Sequence, residues 1–81
     1  MALELYTDAA LTQDMAELRL RRGDLVKLVD HHIAPDGEEG YSIEVLNALG
    51  ETIAVTVLPA SALEPLREDE VLSVRRLAGV G

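Results

Sequence analysis

Tyr41-Ser42-Ile43-Glu44-Val45-Leu46-Asn47-Ala48-Leu49-Gly50-Glu51-Thr52-Ile53-Ala54-Val55-Thr56-Val57-Leu58 is the stretch that decides the fold. Tyr41, Ile43 and Val45 alternate with Ser42 and Glu44, the two-residue period of a strand with unlike faces. Asn47 to Gly50 suits a short hairpin turn, with Gly50 free to take a positive φ. Thr52 to Leu58 is the strongest strand of the chain, with Ile53, Val55 and Val57 on one face.

Working upstream, Leu25-Val26-Lys27-Leu28-Val29 reads as another strand, and the polar Ala34 to Gly40 loop joins it to Tyr41. Before it, Gln13 to Asp24 is a long connection anchored by Met15, Leu18 and Leu20, ending in the turn signal Arg21-Arg22-Gly23-Asp24. At the start, Leu3, Leu5, Thr7, Ala9 and Leu11 lie on one side, with Glu4, Tyr6, Asp8 and Thr12 on the other. That alternation reads as a half-buried strand; a helix capped by Thr7 or Asp8 is the competing reading. Downstream, Pro59 cannot donate a ladder hydrogen bond and starts a helical turn well. One 3₁₀ turn and a short closing strand, Leu63 to Leu66, then complete the domain.

Strand, long loop, three meandering strands, a 3₁₀ turn and a closing strand is the order of a small five-stranded SH3-like barrel. The expected architecture is therefore all-β, with the barrel over residues 1–67. A C-terminal extension over 68–81, a strand or short helix and then a disordered end, follows it. No internal repeat appears.

The stretch from Arg22-Gly23-Asp24-Leu25-Val26 through Tyr41 to Val45, Gly50 to Val55 and Leu58 to Leu63 resembles a family of short bacterial proteins, domain of unknown function 4926. The similarity runs from about Leu5 to Leu66, on turn glycines and core aliphatics. It implies an SH3-like barrel and hints at toxin-like gene neighbours, but it carries no site residues across. Val26 departs from the family pattern, which has a second small residue there.

The 81 residues make one domain, which buries only about 60% of the surface its unfolded chain exposes. There is no Cys, Phe or Trp, so disulfides and thiolate metal sites are excluded and the core must be aliphatic. A net charge of −8 repels phosphate backbones and anionic lipid alike, so neither nucleic acid nor a membrane is the expected partner. No apolar run approaches the roughly 20 residues of a membrane span. Met1 to Asp8 shows neither a basic nor an apolar signal-peptide region, and a cytoplasmic location is expected.

Asp30-His31-His32 is the most tempting constellation. Neighbouring strand residues point to opposite faces, whereas zinc needs three or four converging ligands. Asp36, Glu38 and Glu39 would have to add carboxylates; the plainer reading is a solvated strand end. Asp36 to Gly40 lacks the ligand spacing of a calcium loop. Arg22-Gly23-Asp24 spells an adhesion tripeptide, but reads here as a turn. Ser42, Ser61 and Ser73 lie in no nucleophile-elbow context, though a triad with His31 or His32 could assemble in space. A barrel this small offers little room for a pocket of about 300 Å³. No cofactor and no catalysis are expected. Arg19, Arg21 and Arg22 form the one basic cluster on an acidic background, and two tyrosines cannot line a proline-peptide groove.

Past the closing strand, Glu68-Asp69-Glu70 precedes Val71-Leu72-Ser73-Val74-Arg75-Arg76-Leu77. Val71, Leu72, Val74 and Leu77 need cover, either from the chain's own barrel or from a second protomer or partner protein. The expected role is a non-catalytic protein-binding module, in one version the small acidic partner of a larger toxin-like protein with a basic surface. A nucleic-acid or ribosome accessory domain and a small metal-dependent or hydrolytic enzyme are the rivals.

Overall fold

The central hairpin forms with longer arms than the alternation marks. In the computed structural model of the protein, which describes residues 3–77, the strands are β1 (Asp8–Leu11), β2 (Leu25–Ile33), β3 (Glu39–Leu46), β4 (Thr52–Pro59) and β5 (Leu63–Pro65). They form one antiparallel sheet in the order β4-β3-β2-β1-β5, as expected of the SH3-like order. The sheet is open: β4 and β5 are its two edges and do not pair with each other. Two 3₁₀ turns occur where the sequence predicts one; the additional one, Ala16–Leu18, lies in the long connection.

Register explains the core. Tyr41, Ile43 and Val45 of β3 face Leu58, Thr56 and Ala54 of β4, and Leu28 of β2 lies opposite Ile43. Large side chains on β3 thus meet smaller ones on β4, which packs better than a row of equally large residues would. Leu11, Leu28 and Ile43 are fully buried, and Leu20, Val26, Leu58 and Leu63 complete the apolar centre. Val26 fits because its partner across the ladder is Ala9, whose single methyl leaves room.

Three expectations are corrected. The first strand starts only at Asp8, because Leu5 and Tyr6 form a turn in which Tyr6 has φ 65°. A strand cannot continue through a left-handed residue. β2 runs on to Ile33, past a bulge between Leu28 and Asp30, so both histidines lie within the sheet. The extension is neither strand nor helix: 71–77 run as irregular chain, held by side chains instead of a backbone ladder. The expected disordered end falls on 78–81, outside the described residues.

Candidate functional site

The extension doubles back over one corner of the sheet, and Arg75 fixes its course. Asp24 closes the turn before β2: its N–H donates to Arg21 O (2.9 Å), while its carboxylate accepts from Arg21 N (2.7 Å). Gly23 makes that turn feasible, with φ 91°. Arg75 Nε donates to the same carboxylate at 3.0 Å, a second guanidinium nitrogen reaches its other oxygen, and that nitrogen also donates to Arg19 O (3.3 Å). Burial alone would push the Asp24 carboxyl up; the bonds from Arg75 and the Arg21 amide outweigh it and hold the group below its ordinary range. Asp24 in turn raises the already high pKa of Arg75. The tripeptide's aspartate is therefore occupied within its own chain.

Beyond the clamp, Leu77 packs against the core. Between these anchors and the sheet lies a cleft of about 610 Å³, walled by Ala10, Leu25, Leu46, Ile53 and Leu72 among others. The space is larger than the sequence suggests because it lies between the extension and the sheet, not inside the barrel. Of the four residues proposed for protein contact, Leu77 is half-covered by its own domain. Val71 and Val74 are each 91% exposed and Leu72 66%. Self-packing thus accounts for one of the four.

The clamp also gathers charge. Arg75 and Arg76 are carried to the Arg19–Arg22 turn, so five of the chain's seven basic residues share one corner. The cluster was half legible in the sequence; its other half arrives with the tail, which no local pattern shows.

The histidines part company, as their alternation predicts. His31 stacks on Tyr41 with ring centroids 4.9 Å apart and reaches Glu39 at 3.4 Å. His32 Nε2 lies 2.6 Å from Ser42 Oγ. That Ser–His pair is the nearest thing to a nucleophile and base, but it sits on the sheet's face and lines no part of the cleft under the tail. Asp30, the nearest acid in sequence, accepts instead from His31 N at 2.9 Å. Among the described residues no three His, Cys, Asp or Glu converge as metal ligands. Asp36 Oδ1 accepts from Glu38 N, an ordinary turn contact in the acidic loop. No helix among the described residues is long and apolar enough to cross a membrane.

Comparison with known families finds a match, over residues 5–65, to the family described as a domain of unknown function (DUF4926). The match ends on the last residue of β5, just before the extension. No curated protein and no solved structure matches the chain.

Proposed function

Starting from a chain that belongs to the DUF4926 family, we propose that it is a non-catalytic module that binds a protein with a basic surface. The observation that carries this reading is the exposure of Val71, Leu72 and Val74 on a segment fastened at Arg75 and Leu77. A fastened segment loses less freedom on binding than a loose one, so its exposed aliphatics are cheaper to bury against a partner. The charge of −8 steers cationic surfaces toward the molecule and raises the association rate. A cytoplasmic setting and a toxin-like partner belong to the same proposal.

The test is affinity capture from the native host, comparing the wild type with the Val71→Asp/Val74→Asp double variant. A stoichiometric partner should be recovered by the wild type alone, with both proteins melting alike. Its association rate should fall as salt rises, because exposed charges are screened beyond about 8 Å at physiological ionic strength. Retention by the variant, or a salt-independent association rate, would overturn the proposal.

The arginine corner favours a second reading, a nucleic-acid accessory role. It predicts micromolar binding of a single-stranded RNA oligonucleotide at physiological salt, lost in Arg21→Ala/Arg22→Ala.

A further inference from the structure

The open edge of the sheet is the strand with the strongest β-forming sequence. β4 pairs with β3 on one side and, among the described residues, with nothing on the other. Val55 and Val57 share a face, as the alternation predicts, but that face is the outer one; Val55 is 65% and Val57 60% exposed. Ile53, expected on the same face, is displaced from it: the register shifts between Val45 and Leu46, leaves Ile53 without a partner, and turns it into the wall of the cleft under the tail. Sheet edges are usually defended by lysine, proline, a bulge or an inward charge. From Ala54 to Leu58 the ladder with β3 is regular, and the residues carry neither charge nor proline.

We infer that β4 receives an extended segment of the partner protein, apolar at its centre and basic at its ends. Such a segment adds as a sixth strand, its backbone completing the ladder and its alternate side chains covering Val55 and Val57. Charge selects the occupant. Glu44 lies beside Val55 on the outer face and pairs with no cation among the described residues; Lys27, opposite it, reaches Asp8 instead (3.5 Å). Glu44 does accept from Thr52 Oγ1 (3.1 Å), and Glu51, just before the strand, accepts on its carboxylate from the Asn47 amide (2.8 Å), but neither contact supplies a positive charge. A second copy of this chain would bring more carboxylates to the same edge, whereas a segment with Lys or Arg flanks satisfies those present.

This inference rests on the protein-binding reading but is tested apart from it. The probe is a blocked peptide with a Val-Thr-Val-Thr-Val centre and two lysines at each end, titrated into the full chain and followed by NMR. Shifts and slowed amide exchange should map to Thr52–Pro59. The same peptide with glutamates at its ends should bind at least tenfold more weakly. Val55→Glu/Val57→Glu, at two exposed positions, should abolish binding without changing the melt, while Val71→Asp/Val74→Asp should leave it intact. Equal binding of both peptides, shifts confined to other strands, or self-association through β4 in sedimentation would overturn the inference. If the captured partner needs the tail yet the peptide fails, this inference falls and the protein-binding reading stands.

Discussion

Arg75 grips both carboxylate oxygens of Asp24, a residue 51 positions earlier in the chain. That contact ties the extension to the turn that launches β2, so the tail's position reports on an ion pair. Arg75→Ala should free the tail while leaving the Arg21–Asp24 turn closed. Cleavage by a Glu-specific protease at Glu68 and Glu70 should accelerate several-fold, and the melt should fall by a few degrees. An unchanged digestion rate would mark the pair as an idle surface contact.

Acid should release the same tail. The folded Asp24 carboxyl titrates below its ordinary value of 3.8, so folding favours its ionised form. Its contribution is fully present above that value and fades as pH falls through the lower folded one. Protease sensitivity at Glu70 should therefore stay flat from neutral pH to about 5 and rise below about 4. Asp24→Asn should be sensitive throughout and lack that acid step.

Cutting the chain after Arg67 removes the clamp and the half-buried Leu77. Losing that side chain's cover should cost about 1 kcal/mol, roughly half the value of a fully buried leucine. Urea unfolding would read the difference as a lower midpoint with a similar slope. A truncated chain with an unchanged midpoint would make the extension thermodynamically silent.

The aliphatic core has no reserve of aromatic burial. Ile43→Ala, at a fully buried position between Leu28 and Thr56, should cost about 2–5 kcal/mol, much of a small domain's stability. Val55→Ala, on the outer face, should shift the same unfolding curve by less than about 0.5 kcal/mol.

Thermal melts with and without a strong chelator should superimpose, since His31 and His32 are engaged with Tyr41 and Ser42. A drop of more than a few degrees on chelation would make the histidine pair a metal site after all.

The strand order is legible in the sequence because each turn carries its own chemistry: Gly23 before β2, Gly37 between β2 and β3 and Gly50 between β3 and β4 all adopt positive φ. The alternation separates Val55 and Val57 from Ala54 and Thr56 but does not say which set lies inside, and nothing in it announces the bulge that displaces Ile53. A period of two makes both faces equally regular, and the choice belongs to register, here Tyr41 against Leu58. The start of the first strand is hidden for a related reason, since nothing in Leu5-Tyr6 announces a left-handed Tyr6. The candidate site was legible in part. Val71, Leu72 and Val74 stand out as uncovered aliphatics, but the Asp24–Arg75 contact spans most of the chain and leaves no local signal.

The two margins of the sheet differ. β5 offers three residues and β4 eight; each ends on a proline without an N–H, which leaves β5 two donors at most. A strand laid on β4 creates a new margin, while the opposite one stays too short and too poor in donors to accept another. The molecule is thus monovalent in strand addition. A segment seated on β4 therefore has no counterpart on the far side, and the chain's own sheet cannot bridge two partners by offering both margins.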